Sequence, residues 1–227
     1  MNLDAIVAAL RADFAEAGDP ARAAAMRAYM KERFPFFGIP AGARRKGQRA
    51  FWNRTAGGLP DRAALLPLVR RLWREPEREF QYAAMDWLDR RARHLTPDDL
   101  PVIEEQISTR SWWDTVDLLA SHLAGGILRR HRDLASAKVG EWLDSGELWL
   151  QRTALLCQLK WKTDTDRDLL ALAIDRTRDS PEFFLRKAIG WALREYAKTD
   201  PGWVRAYVDR TPNLSPLSRR EALKHER

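Results

Sequence analysis

Apolar residues recur three and four positions apart along almost the whole 227-residue chain, which is the period of amphipathic α-helices. No segment shows the strict alternation typical of a strand, so the sequence predicts an all-α fold. Several helix starts are marked by a capping-type residue followed by proline: Asp19-Pro20, Thr96-Pro97, Ser180-Pro181 and Asp200-Pro201. The predicted helices span about 2–17, 20–33, 60–75, 77–94, 96–109, 111–130, 132–145, 147–163, 165–178, 181–199 and 201–210, with a basic helix between Pro40 and Gly57.

The helices also repeat, in weakly similar segments that keep an even register. Short loops make consecutive helices antiparallel neighbours. Tyr82, Asp117, Arg152 and Lys187 follow one another at intervals of 35 residues, a period typical of HEAT-like or TPR-like repeats. The alternative is that this even spacing arises by chance, because so much of the chain is helical. We predict one α-helical repeat domain over residues 1–227, a HEAT-like solenoid with these positions in a row on a concave, basic surface; residues 211–227 either complete it or form a less ordered tail.

The helix predicted over residues 111–130 carries two distinct faces. Ser111 has the residue type of an N-cap, and Asp114 completes a capping-box pattern. Trp113 and Asp117 lie about 110° round from the apolar stripe and are adjacent at i and i+4, so an indole and a carboxylate share a face that the core does not need. The apolar stripe consists of Trp112, Val116, Leu119, Leu123 and Ile127.

The helix predicted over residues 181–199 has a similar arrangement. Its Trp191 lies off the apolar stripe, in a sector shared with Lys187 and Arg194. On the helix predicted over residues 147–163, Arg152 stands opposite the apolar stripe. Each residue alone has an ordinary explanation, and Asp117 could be a structural carboxylate paired with Arg152. Together they predict a cleft with one carboxylate, two indoles and surrounding cations.

Composition favours an anionic partner. The chain has 39 basic and 32 acidic residues, a net charge of +7 and an isoelectric point near 9.8, which suits nucleic acid first and an anionic membrane second. A solvated, arginine-rich surface explains the charge equally well. The basic helix adds Arg44, Arg45 and Lys46 as candidate DNA contacts, with Tyr82 in the row above.

Other chemistries lack support in the sequence. Cys157 is the one cysteine and lies in an apolar run, so we expect a buried thiol, no disulfide and a cytoplasmic protein. Four scattered histidines give no metal-ligand spacing, and no glycine-rich phosphate loop follows a strand pattern, so no metal or cofactor is predicted. No apolar run is long enough to span a membrane, and a membrane partner is not expected.

The predicted cleft suits cleavage of an N-glycosidic bond. Two aromatic faces and an anion stabilise a developing positive charge, and such cleavage passes through an oxocarbenium-like sugar. No second carboxylate is placed to protonate the leaving group, which is tolerable if the leaving base is already cationic, as in alkylated purines. Asp117 would stabilise the sugar cation and position the attacking water, while the cations would hold the phosphate backbone.

Three segments carry a family resemblance: Phe36–Ile39 (FFGI), Ser111–Asp117 (SWWDTVD) and Phe183–Lys198 (FFLRKAIGWALREYAK). In this order and separation they resemble the AlkD family of DNA alkylation-repair glycosylases, over roughly residues 29–199. The resemblance implies a HEAT-like solenoid that excises cationic 3-alkyladenine and 7-alkylguanine bases from duplex DNA, without a base-specific pocket.

By the same resemblance, Trp113 and Trp191 pack on the deoxyribose of the lesion, Asp117 is the catalytic carboxylate and Arg152 holds the DNA backbone. The sequence therefore favours a monofunctional alkylpurine-DNA glycosylase in base excision repair that acts as a monomer on double-stranded DNA. Two alternatives stay open: a non-catalytic DNA-binding helical-repeat protein and a protein–protein scaffold.

Overall fold

The computed structural model describes residues 2–56 and 58–224, and over these residues it confirms the all-α fold, with helices, turns and no strand. The chain divides into two compact units, Met1–His94 and Leu95–Arg227. Within the described ranges, none of the helices combines the length and the apolar character that a membrane crossing requires.

The first unit consists of α1 (Leu3–Ala17), α2 (Pro20–Tyr29), α3 (Ala41–Ala56), α4 (Arg62–Trp73) and α5 (Arg78–Arg90), followed by a 3₁₀ turn, Ala92–His94. Asp19 caps α2 as predicted, because its side chain accepts hydrogen bonds from the backbone of Ala21 and Arg22. The prediction that α2 runs to about residue 33 is wrong. Lys31 and Glu32 have φ of 57° and 59°, a left-handed conformation that ends the helix.

The apolar segment between α2 and α3 is fixed by a buried carboxylate. Glu79, on α5, accepts hydrogen bonds from the backbone N–H groups of Phe37, Gly38 and Ile39. A carboxylate that accepts several backbone N–H groups is well satisfied in a buried position. The segment between the two helices therefore has a defined conformation.

The second unit contains the helices α6 (Leu100–Ser108), α7 (Trp113–Leu118), α8 (Gly125–Arg130), α9 (Ala135–Asp144), α10 (Leu148–Leu156), α11 (Arg167–Thr177), α12 (Phe183–Ala197), α13 (Pro201–Arg210) and α14 (Pro216–Ala222). Asp200 caps α13 as predicted. Helix α12 begins two residues later than the Ser180-Pro181 pair predicted, with Glu182 as its N-cap residue. Helix α10 ends at Leu156, seven residues short of the predicted end, and a turn follows.

Side-chain contacts in the second unit recur at a nearly constant sequence separation of 32 to 38 residues. Such spacing arises when each structural unit packs only on its neighbours, so it is consistent with the predicted helical repeat. The recurring pairs are Glu104 with Trp142, Asp117 with Arg152, Gly125 with Trp161, Asp175 with Tyr207 and Arg186 with Ser218.

Helix α14 packs closely on α12 at a glycine. A Cβ atom at Gly190 would lie 2.4 Å from the Cβ of Glu221 and 2.9 Å from the carbonyl oxygen of Ser218, so no larger residue fits there without a shift. The hydroxyl of Ser218 also donates to the carbonyl of Arg186 on α12. The close approach brings the carboxylate of Glu221 beside the cations of α12.

Candidate active site

The helix that carries Asp117 begins at Trp113, and the predicted capping box at Ser111 is wrong. The hydroxyl of Ser111 instead donates to the carbonyl of Ile107. Trp112 occupies the N-cap position with an extended backbone, and its ring packs against Trp149 and Phe184, with centroids 5.8 and 4.9 Å away. Burial of this large indole outweighs the capping preference.

The predicted continuous helix over residues 111–130 contains a π-helical segment at its centre, Leu119–Ala124, between α7 and α8. A π segment is wider than an α-helix and is frequently found at functional sites. It begins two residues after Asp117. The hydroxyl of Ser121 donates to the carbonyl of Asp117 across this junction, at 2.6 Å.

The two faces predicted for this helix are confirmed. Trp113 and Asp117 are each half-buried and belong to the same surface. Every member of the predicted stripe is at least 90 % buried: Trp112, Val116, Leu119, Leu123 and Ile127. The indole and the carboxylate are therefore not part of the core.

Trp113, Asp117 and Trp191 line one shallow cleft of about 280 Å³. The sequence predicted this set, although Trp191 lies on a helix far along the chain. Leu118 and Leu159 contribute apolar surface. The cleft is also lined by polar residues that were not among the predicted site residues: Asp114, Ser121, His122 and Lys160.

Lys160 was missed for a structural reason. It lies in the turn that follows α10, whereas the predicted helix over 147–163 gave it no particular face. The side chain of Lys160 is exposed. The sequence offers no signal that singles out Lys160, apart from its position directly before Trp161.

Asp117 and Arg152 form a bidentate ion pair. The Nε of Arg152 lies 2.8 Å from one carboxylate oxygen of Asp117, and its Nη2 lies 3.0 Å from the other. The Nη1 of Arg152 donates to the carbonyl of Phe184. Arg152 was predicted to stand opposite the apolar stripe, but only 4 % of its surface is exposed. The alternative given for Asp117, a structural carboxylate paired with Arg152, describes this contact correctly.

The environment of Asp117 changes its acidity. Its side chain is 18 % exposed. Burial raises the pKa of Asp117 above the ordinary value of 3.8, and the guanidinium of Arg152, which lowers this pKa, offsets the effect only in part. The negative charge of Asp114 raises it slightly further. The site thus holds a carboxylate that accepts a proton more readily than one in water.

The other cations predicted on α12 are paired with the last helix. Lys187 and Arg194 contact opposite oxygens of Glu221, at 2.8 and 2.5 Å. The side chains of Lys187 and Arg194 are 40 % and 21 % exposed. The hydrogen bond from Lys187 holds the pKa of Glu221 below its usual range, so this carboxylate stays ionised at neutral pH.

The candidate cations of α3 belong to the first unit. Arg44 is buried, pairs with Asp86 at 3.0 Å and lies over the ring of Tyr82, 4.7 Å from its centroid. Arg45 is exposed and contacts the other oxygen of Asp86. Lys46 is exposed. Tyr82 is half-buried, and Phe36 lies beside it with centroids 6.3 Å apart.

Neither a metal cluster nor a reactive thiol accompanies the cleft. Across residues 2–56 and 58–224, no group of histidine, cysteine, aspartate and glutamate side chains is arranged to hold a metal ion. Cys157 is fully buried, as predicted, and burial raises the pKa of its thiol to about 12. A thiol with this pKa is protonated at neutral pH and is a poor nucleophile.

An all-helical chain with this charge, and with a carboxylate beside two indoles, has the features of a helical protein that acts on nucleic acid. The chain belongs to the DNA alkylation repair enzyme family, whose model matches residues 10–225. It is also similar to a solved structure described as a predicted DNA alkylation repair enzyme from Enterococcus faecalis. The two chains are 32% identical with a TM-score of 0.83, and the similarity covers 92% of this chain and 96% of that one.

No curated protein matches the chain. The family supports a role in DNA repair, with DNA as the substrate, and the helical architecture agrees with that of the related structure.

Proposed function

We propose that the protein is an AlkD-type DNA glycosylase that hydrolyses the N-glycosidic bond of cationic alkylated purines, such as 3-alkyladenine and 7-alkylguanine, in duplex DNA. The observation that carries this proposal is the cleft in which Asp117 lies with Trp113 and Trp191. A pure DNA-binding surface has no use for a carboxylate, which repels phosphate. A reaction that creates a cationic sugar needs one.

In the proposed mechanism, the bond between C1′ and the purine nitrogen breaks, and its electron pair stays on the base. A base that carried a positive charge leaves as a neutral purine, so no acid is required to protonate it. The indoles of Trp113 and Trp191 present their π faces to the developing oxocarbenium ion, and the carboxylate of Asp117 compensates its charge.

Water then completes the reaction. Its oxygen bonds to C1′ and its proton passes to Asp117, whose raised pKa brings it nearer to that of a useful general base. The products are a neutral base and an abasic site in an intact strand. We propose no lyase step, no metal and no organic cofactor, and a monomer suffices for this chemistry.

The cleft suits a reaction in which the protein approaches the nucleotide from outside the DNA double helix. Its volume of about 280 Å³ is shared among nine lining residues, and it is open rather than enclosed. A flipped purine is normally held in a closed pocket with hydrogen-bond partners for its edge. We therefore propose that the enzyme acts on the sugar and backbone, which leaves room for larger adducts.

The test is release of 7-methylguanine from methylated duplex DNA in the presence of EDTA. Wild type should release the base, and Asp117→Asn should lose at least about 100-fold in rate, the cost of removing one group that stabilises transition-state charge. Asp133→Asn, at an exposed aspartate, is the matched control and should behave as wild type. Equal release by Asp117→Asn would exclude the mechanism.

Two further outcomes address the alternatives. No release by wild type, with tight and salt-dependent binding of duplex DNA, would favour the non-catalytic DNA-binding protein. No release and no salt-dependent binding would favour the protein–protein scaffold. Strand cleavage, or trapping of a covalent adduct by borohydride, would contradict the absence of a lyase step.

A further inference from the structure

The guanidinium of Arg152 has little capacity left for a DNA phosphate. Its Nε and Nη2 donate to Asp117, and its Nη1 donates to the carbonyl of Phe184. Its side chain is only 5% exposed. Two of its five N–H groups remain, but the burial of the side chain leaves a phosphate little access to them. The geometry suits a residue that fixes the position of Asp117 instead.

Two cations of α12, Lys187 and Arg194, are also engaged, because both contact Glu221. Lys160 differs from all three. It lines the same cleft as Asp117 and Trp191, its side chain is exposed, and no ion pair joins it to another residue within the described ranges. Of the cations described here, it is the one that a phosphate can reach in the cleft without breaking an existing contact.

The backbone that carries Lys160 is held on both sides. The indole of Trp161 donates to the carbonyl of Gly125 at 2.9 Å, and the side-chain amide of Gln158 forms two hydrogen bonds with the backbone of Asp166. Gly125 lies so close to the turn that a Cβ atom there would be 1.9 Å from the carbonyl oxygen of Cys157. Lys160 is therefore presented from a fixed turn.

We infer that Lys160 binds the DNA phosphate next to the reacting sugar, and that Arg152 acts as a positioning residue for Asp117. The inference rests on the proposed function because it assumes that DNA enters this cleft. A flexible ammonium group suits a phosphate as a point charge, whereas the planar guanidinium suits the bidentate contact that Arg152 makes with Asp117. The two cations divide the work between backbone binding and carboxylate alignment.

The test measures binding of an undamaged duplex as a function of salt, so it does not depend on excision. Lys160→Gln should reduce the slope of log affinity against log salt by about 0.9, the value for one phosphate contact. At 0.1 M salt this corresponds to roughly eightfold weaker binding than that of wild type. Lys160→Arg should keep the wild-type slope. Lys162→Gln is the matched control, because this exposed lysine is two residues away and lines a different cavity.

A neutral phosphate locates the contact. A duplex with an abasic-site analogue and one methylphosphonate beside it should bind wild type less tightly than the unmodified analogue, while Lys160→Gln should bind both equally. Arg152→Gln, with its folding checked by circular dichroism, should keep the wild-type salt slope and lose excision. An unchanged slope in Lys160→Gln, or a slope reduced by about 0.9 in folded Arg152→Gln, would overturn the inference.

The result is separable from the proposed function. If wild type does not release 7-methylguanine but Lys160→Gln still loses one phosphate contact, the catalytic proposal fails and the DNA contact stands. If wild type binds duplex DNA without salt dependence, the contact itself is refuted.

Discussion

Replacing Arg152 by glutamine should leave Asp117 in a buried position without its partner. Removing one member of a buried ion pair typically costs 3–5 kcal/mol, because the remaining charge loses its compensation. Asp117 keeps 18 % of its side chain exposed, so solvent screens part of that charge. We therefore expect Arg152→Gln to lower the free energy of unfolding by about 3 kcal/mol, near the lower limit of that range.

The loss is measurable by urea or thermal unfolding. A change of 3 kcal/mol corresponds to about 6–12 °C in Tm for a chain of this size. The matched control is Arg176→Gln, which removes an ion pair with Asp144 in which the two side chains are 49% and 68% exposed. An exposed pair contributes below about 1 kcal/mol, so the control should shift Tm little.

The coupling between the partners provides a second check. Asp117→Asn and Arg152→Gln should be less costly together than the sum of the single changes, by about 0.5–3 kcal/mol, because the double variant leaves no unpaired charge. If Arg152→Gln costs no more than Arg176→Gln, or if the double variant is additive, the pair is not coupled and the assignment of Arg152 as the partner that positions Asp117 is refuted.

Two other consequences concern the pH dependence and the second indole. Burial raises the pKa of Asp117, so the native state binds its proton more tightly than the unfolded chain. The unfolding free energy of wild type relative to Asp117→Asn should therefore fall as pH rises from 3.8 through the raised pKa. In the pH profile of the excision rate, the midpoint on the acidic side should lie above pH 3.8. Identical pH profiles of stability for the two proteins would contradict this. Trp191→Ala should reduce excision by about tenfold, since one aromatic contact to a desolvated cation contributes up to about 2 kcal/mol, and it should reduce binding of undamaged duplex less. Trp203→Ala, at a half-buried indole outside the cleft, is the control. Equal losses of binding and excision in Trp191→Ala would refute a role of Trp191 in stabilising the sugar cation.

Periodicity predicted the fold class and the principal residues of the candidate site. The stripe from Trp112 to Ile127 could be recognised because burial follows the helical period, and Trp113 and Asp117 stood out because they depart from it. The same reasoning placed Trp191 off the stripe of its helix. In proteins of this kind the buried positions can be predicted from sequence, because each helix buries one face against its neighbours.

The errors arise where tertiary contacts override local preference. Ser111 has the right residue type for a cap, but the packing of Trp112 against Phe184 moves the helix start. Arg152 was placed opposite the apolar stripe of its helix, yet the pair with Asp117, which the sequence left as an alternative, allows this arginine to be buried. Lys160 could not be placed, because a turn replaces the end of the predicted helix.

The π segment that follows Asp117 also sets the phase of the helix. It accommodates more residues in its turn than an α-helix does, so the residues before and after it are offset relative to an uninterrupted α-helix. Deleting one residue between Leu119 and Ala124 would change the offset by about 100°, the rotation per residue of an α-helix, and would shorten the helix by about 1.5 Å. The orientation of Trp113 and Asp117 relative to Leu123 and Ile127 thus depends on the number of intervening residues as well as on their chemistry.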